Sequence, residues 1–370
     1  GGALSIRIPE YDVTIESTLF MRAARHQPVE RTPVWFMRQA GRVLPEYRAV
    51  REKYSLLEIC QRPDECTEVT LQPVRRLGVD AAILFADIMH PLVGAGVPLD
   101  IVDGVGPVIH APIRTARDVD TLRPLVPEVD LPYVLTTIRM LKAELGDRTP
   151  LIGFAGAPFT LAAYLIEGKA SREFLRAKTM MYAAPEIWHE LMTRLTDMVI
   201  VFLRAQRAAG VDVLQLFDSW VGALSRNDYV RYVQPYTRRI FAELAPLGAP
   251  LIHFGVNTAT LLDAMTTDGA SILGADWRIP LDRAWAVIGY DKGIQGNLDP
   301  AVLLGAGNVI EREVNDVLDR AGGRPGHIFN LGHGLLPQTP VAAIEQAIAT
   351  VRARVLSPAP AASFATAGGR

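Results

Sequence analysis

Gly78-Val79-Asp80-Ala81-Ala82-Ile83-Leu84-Phe85-Ala86-Asp87 is the stretch that decides the fold. A glycine closes a segment of helical periodicity, an apolar run follows, and an acid stands just beyond it. A short, wholly apolar run reads as a strand buried on both faces, and a glycine before it as a helix stop. The same order recurs at Gly210-Val211-Asp212, then Val213–Phe217, then Asp218-Ser219. It recurs again at Asp268-Gly269, then Ser271-Ile272-Leu273-Gly274, then Asp276. Runs at Val34–Met37, Leu151–Phe154, Leu251–Phe254, Gly293–Gly296 and Ile328–Leu331 bring the strand candidates to eight, at helix-sized spacings. Eight parallel strands alternating with helices predict an α/β chain closed into a single (β/α)8 TIM-type barrel. A doubly wound sheet is the alternative, but no Gly-rich dinucleotide or Walker loop follows the first strand.

Two segments depart from the alternation. Residues 93–112, with Gly94, Gly96, Gly104 and Gly106 among β-branched residues, predict a hairpin inserted after the second strand. Residues 357–370, rich in Ala, Pro, Ser and Gly, predict a disordered tail, leaving 1–356 as one catalytic barrel domain. Helices are expected over residues 11–30, 55–77, 189–209 and 258–267.

The 370 residues are 49% hydrophobic and 21% charged, with a formal net charge of −2. That balance suits a soluble protein with a large core and supplies no global field to recruit nucleic acid or an anionic membrane. No apolar run approaches membrane-spanning length, and residues 1–10 lack the charged-then-apolar order of a secretory signal. The two cysteines, Cys60 and Cys66, are spaced unlike a zinc knuckle or a redox pair and read as reduced, structural thiols of a cytoplasmic protein.

In such a barrel, chemistry gathers at the C-terminal ends of the strands. The first strand leads into Arg38-Gln39-Ala40-Gly41-Arg42, two permanently charged guanidinium groups around a glycine that cannot block a ligand. The second offers Asp87, the third leads to Tyr164, the fourth ends at Asp218 and Ser219, and the eighth at Gly332-His333-Gly334. Read singly, Asp87 and Ser219 serve either a ligand or a helix cap. Tyr164 is either a ligand contact or a half-buried helix tyrosine. His333, free of bulky neighbours, reads as a site residue, and His253, inside a strand, as a core histidine. His26, His90, His110, His189 and His327 share no ligand spacing, so no metal is assigned.

Pro33–Arg48 resembles the first hallmark motif of the uroporphyrinogen decarboxylase family, and Gly153–Gly168 the second. Gln215-Leu216-Phe217-Asp218-Ser219, Gln295-Gly296-Asn297-Leu298-Asp299-Pro300 and Asn330-Leu331-Gly332-His333-Gly334 are similar to the same family, so the likeness spans residues 15–355. The resemblance implies a cytoplasmic homodimeric barrel, without metal or organic cofactor, that decarboxylates the acetates of uroporphyrinogen III in haem biosynthesis. It implies substrate contacts at Arg38, Gln39, Ala40, Gly41, Arg42, Asp87, Tyr164, Ser219 and His333. It further implies that Asp87 is essential to stabilising the reacting macrocycle.

That chemistry needs such residues. Direct loss of CO2 would leave a carbanion, so a pyrrole carbon must first be protonated, making the ring cationic. A carboxylate under the pyrrole N–H groups stabilises that cation, and Asp87 fits the part. The arginines would anchor the carboxylate fringe and favour the charged form of Asp87. The proton donor stays open among Arg38, Tyr164, His333 and a carboxyl group of the substrate. Two rivals are a zinc methyltransferase of the same superfamily, which needs a His-x-Cys set absent here, and a non-catalytic tetrapyrrole binder, in which Asp87 or Arg38 would differ.

Overall fold

The computed structural model describes residues 13–356; the expected tail at 357–370 lies outside the described residues. In chain order the strands are β1 (Ala82–Ile83), β2 (Leu99–Val102), β3 (Gly106–Ile109), β4 (Leu151–Gly156), β5 (Val213–Asp218), β6 (Leu251–Gly255), β7 (Ile272–Gly274), β8 (Gly293–Gln295) and β9 (His327–Ile328). β2 and β3 pair antiparallel, Leu99 opposite Ile109. The other seven form one parallel sheet in the order β1-β4-β5-β6-β7-β8-β9, with helices between successive strands.

The sheet curls until its two edges flank one segment, Pro33–Met37. On one side Phe329 N–H donates to Pro33 O at 2.9 Å and Trp35 N–H to Phe329 O at 3.3 Å; on the other, Asp80 N–H donates to Val34 O at 2.9 Å. The expected first strand is therefore a single bridged position, Val34 with Phe329, rather than a ladder. Its remaining N–H groups go to side chains: Val34 to Asp80, Phe36 to Gln39 and Met37 to Asn330, at 2.8, 3.0 and 3.1 Å. Every buried amide is satisfied, but too few bonds run to neighbouring backbone to make a strand.

The space enclosed by the sheet holds a chain of amides. Trp35 Nε1–H donates to Gln295 Oε1, whose own amide donates to Gln215 Oε1, both at 3.1 Å. Gln215 on β5 and Gln295 on β8 are not sheet neighbours, so this contact crosses the interior. By the twofold alternation of a strand, Gln215 facing inward also turns Phe217 inward and Asp218 outward. Phe217 meets Phe154 and Phe254 at 5.1 and 5.9 Å between ring centroids, lining the C-terminal end of the sheet.

Helix boundaries follow local chemistry. The expected helix over 55–77 is two, Leu56–Cys60 and Pro63–Leu77. Pro63 has no N–H to continue the first and suits the opening turn of the second, which ends at Gly78 in the left-handed region. The expected helix over 189–209 runs from Pro185 to Ala209. Residues 258–267 yield only Leu262–Met265, and 13–30, the described part of the expected 11–30 helix, only Leu19–Ala24 after a short 3-10 turn. Cys60 and Cys66 are free and buried, both sulfurs directed at Phe85 O. Among the described residues no helix is long and apolar enough to cross a membrane.

Candidate active site

The turn after Met37 departs from ordinary backbone. Arg38, Gly41 and Arg42 have φ of 63°, 108° and 27°. A side chain at Gly41 would meet Phe85 and Tyr47 at 3.3 and 3.6 Å, so glycine serves both the dihedral and the space. Gln39 is fully buried and structural: its Oε1 accepts from Phe36 N–H and its Nε2 donates to Ala81 O at 2.9 Å. Its side chain is therefore spent in holding the turn. Among the described residues the N–H groups of Ala40, Gly41 and Arg42 make no backbone hydrogen bond, as in an anion-accepting nest.

Arg38 is solvent-exposed, although its stem lies packed against Gly334. Burial lowers its pKa to about 10, repulsion from Arg42 adds to this, and Asp87 and Tyr164 oppose it. Burial likewise lowers Arg42, against Tyr47 and Asp87. Among the described residues neither guanidinium has an ion-pair partner within 4.0 Å. Two clustered cations with no close counter-ion are poised for an anionic ligand.

Asp87 does not cap the helix that follows, whose N-cap is Met89 with no side-chain cap bond. Its Oδ1 accepts from Met89 N–H at 2.9 Å, just ahead of the short helix His90–Gly94, and the residue remains half-buried. Among the described residues, Oδ2 has no protein donor. Ser219 caps no helix: the 3-10 turn that follows, Val221–Ala223, is preceded by Trp220 without a side-chain cap.

Tyr164 lies on the helix Pro158–Glu167, with its ring edge-on to Trp220 at 5.9 Å. Burial raises its pKa, the neighbouring Trp220 indole opposes this, and Asp87 and Arg38 act on it with opposite signs. His333 accepts from Gly334 N–H at Nδ1, 2.6 Å away, so its neutral ring carries the proton on Nε2. Burial lowers its pKa to about 4, reinforced by Arg38 and Arg42. At neutral pH His333 is thus a hydrogen-bond donor, not an acid. Arg38 packs against Gly334, beside His333, whose ring lies edge-on to Phe254 at 6.3 Å, and charge interactions link Arg38 with Arg42, Asp87, Tyr164 and His333.

Other strand-end residues are engaged by protein partners. Asp218 is fully buried on the outer face, accepting from Thr160 Oγ1 at 2.9 Å. Asp276 is bound by Arg278, and Asn297 donates to the carbonyls of Asp276 and Ile279. Arg278 also bears on His333 electrostatically, and Phe154, Phe217 and Phe254 supply the apolar wall. Of these four, Phe154 and Phe217 fall inside motifs that the sequence singles out, whereas Phe254 and Arg278 do not. The set can grip several carboxylates at its rim, present one carboxylate to an N–H-bearing centre, and offer neutral donors from Tyr164 and His333. Among the described residues no three His, Cys, Asp or Glu side chains are grouped to hold a metal ion.

The family model described as uroporphyrinogen decarboxylase (URO-D) matches residues 16–354. The chain belongs to the uroporphyrinogen decarboxylase family. A uroporphyrinogen decarboxylase of Thermus thermophilus is 58% identical over 322 residues, covering 87% of this chain and 94% of its own length. One from Salinispora tropica is 55% identical over 332 residues, covering 90% and 89%. Among solved structures, a methyltransferase from Methanosarcina mazei superposes with a TM-score of 0.77 at 16% identity, covering 92% of this chain and 99% of its own. That likeness extends the fold beyond the family and says nothing of its chemistry. The motifs at Pro33–Arg48, Gly153–Gly168 and Asn330–Gly334 all fall inside the span matched by the family model.

Proposed function

We propose that this chain removes CO2 from the four acetate side chains of uroporphyrinogen III, giving coproporphyrinogen III on the route to haem. Membership of the uroporphyrinogen decarboxylase family supports the reading, and so do relatives above 50% identity that carry that name. The observation that carries it is the pairing of Arg38 and Arg42, which among the described residues lack close counter-ions, with a half-buried Asp87 whose Oδ2 accepts from no described protein group. A phosphate site would have no use for the aspartate. A ring with a carboxylate fringe and N–H groups at its centre uses both.

In this reading Arg38 and Arg42, with the free N–H groups around Ala40 and Gly41, hold the carboxylates. Gln39 contributes by fixing that turn, Ser219 and Tyr164 line the opposite wall, and His333 donates from Nε2. Breaking each desolvated charge-assisted pair would cost roughly 2–5 kcal/mol. A proton added to the pyrrole carbon makes the ring cationic, and Asp87 stabilises it through the pyrrole N–H groups. The acetate C–C bond then breaks, its electron pair entering the ring as CO2 leaves. Protonation of the exocyclic carbon and return of the ring proton leave a methyl group. Arg38, with its pKa lowered to about 10, is a stronger acid than an ordinary guanidinium, and we assign it to the proton route.

The same reading takes residues 1–356 as one catalytic domain of a cytoplasmic homodimer needing neither metal nor organic cofactor. The test is anaerobic incubation with chemically reduced uroporphyrinogen III, with and without a chelator, followed by chromatography of the oxidised products. Coproporphyrin in both arms is expected. Unchanged uroporphyrin, with the protein still folded, would sink the proposal, and loss of product in the chelator arm alone would sink the cofactor-free part of it.

A further inference from the structure

Behind the wall formed by β5 and β6 lies a line of buried titratable groups that the proposed chemistry does not use. His253 is fully buried between two buried carboxylates. Its Nε2 is 3.4 Å from Asp218 Oδ2 and its Nδ1, without a hydrogen-bond partner among the described residues, is 3.9 Å from Asp268 Oδ2. Asp268 is held in turn by the Tyr229 hydroxyl and by Gln234 Nε2 at 2.8 Å. Replacing such a cluster by packed apolar side chains is often neutral or stabilising, so its presence asks for a role beyond stability.

Its contact with the cleft is Thr160. The Thr160 hydroxyl donates to Asp218 Oδ1 at 2.9 Å and accepts from the backbone N–H of Trp220 at 3.3 Å. Thr160 shares the helix Pro158–Glu167 with Tyr164, one turn away, while Trp220 follows Ser219 and packs edge-on against the Tyr164 ring. One hydroxyl thus fastens three things: the end of β5, the turn carrying Ser219, and the helix carrying Tyr164. A hydroxyl that donates to Asp218 has its lone pairs left for Trp220, so the carboxylate also fixes the direction of the second bond.

We propose that Thr160, oriented by the buried Asp218–His253–Asp268 line, is a positioning residue that sets the Tyr164–Ser219 wall against the substrate. The inference rests on the decarboxylase reading above. Thr160→Val keeps the branched shape and deletes both hydrogen bonds, whereas Thr160→Ser keeps them. The experiment is a double-mutant cycle in kcat/KM for uroporphyrinogen decarboxylation, with Thr160→Val in the native and Tyr164→Phe backgrounds and thermal unfolding followed in parallel. Thr160→Val should lose about tenfold in the native background and much less beside Tyr164→Phe, because coupled neighbours are not additive. Thr160→Ser should recover most of the loss. Equal losses in both backgrounds, or native kcat/KM in a folded Thr160→Val variant, would overturn the positioning role. His253→Gln, expected to reproduce a weaker loss with the same dependence on Tyr164, guards against a Thr160→Val chain that fails to fold; additivity there also overturns the proposal. A native chain without turnover would instead count against the decarboxylase reading itself.

Discussion

Arg38 lies across Gly334. A Cβ at Gly334 would stand 2.4 Å from Arg38 Cδ and 2.7 Å from Cγ, far inside contact distance. The colliding atoms are the middle of the arginine rather than its mobile tip, so the guanidinium would have to take another course. Gly334 has no left-handed φ, so its backbone accepts alanine. Gly334→Ala should therefore leave the chain folded at a cost of about 1–3 kcal/mol of stability while lowering kcat/KM by roughly 10²-fold, the usual penalty for a displacement of about 1 Å. Steady-state kinetics beside a thermal melt checks it, and native kinetics would show that Arg38 does not need its present course.

Asp87 separates structure from chemistry by oxygen. Asn at this position retains an Oδ1 that can accept from Met89 N–H, so the entry to the helix His90–Gly94 survives. What Asn removes is the negative charge in the cleft. Asp87→Asn should fold with native circular dichroism and lose about 10²–10³ in kcat, the scale set by deleting one preorganised charge-stabilising group. Near-normal coproporphyrinogen production would refute the role assigned to Asp87.

The sequence made the parallel α/β architecture legible through the Gly-stop and apolar-run repeat, because backbone chemistry is local. Seven of eight expected strands appear where that grammar puts them. The eighth, Val34–Met37 with Pro33 ahead of it, meets the sheet through only three backbone bonds, to Phe329 and Asp80, while its other N–H groups go to the side chains of Asp80, Gln39 and Asn330, a trade that periodicity does not register. Facing is the other blind spot. Asp218 and Ser219 are adjacent and equally polar, yet the pleat sends Asp218 outward to Thr160 and leaves Ser219 at the turn. Only the inward set by Gln215 decides between them, and that needs the contact with Gln295 across the interior. Gln39 sits in the arginine motif but spends its amide on the turn, a distinction that motif spacing does not carry.

Histidines give a sign to the pH dependence of stability. His327 is buried, donates from Nε2 to Gly296 O at 2.9 Å, and is held by burial at a pKa of about 4, against 6.5 for the free side chain. The unfolded chain therefore binds this proton more readily than the folded one. Stability is full above about pH 6.5 and declines as pH falls towards about 4, where the loss levels off. His327 alone should cost about 2 kcal/mol between pH 7 and pH 5. Urea unfolding at the two values should show that loss, and His327→Gln should flatten the slope. A slope unchanged by the substitution would mean that His327 stays neutral in both states over this range.

Arg38 and Arg42 carry the same charge but not the same surroundings. Burial lowers the pKa of Arg42, Tyr47 and Asp87 oppose it, and in the proposed reading this exposed arginine anchors a carboxylate alike in the ground and transition states. Its removal should then raise KM with little change in kcat, the mark of uniform binding. Arg38 is the more enclosed, answers to both Asp87 and Tyr164, and is assigned to the proton route. Arg38→Lys keeps a positive charge, so anchoring should partly survive while kcat falls, since an ammonium cannot reproduce the planar fork. Arg42→Ala should raise KM about 30-fold, equivalent to about 2 kcal/mol of lost anchoring, whereas Arg38→Lys should lower kcat by at least about tenfold. The reverse split, with kcat lost at Arg42 and KM alone at Arg38, would move the proton route to the outer arginine.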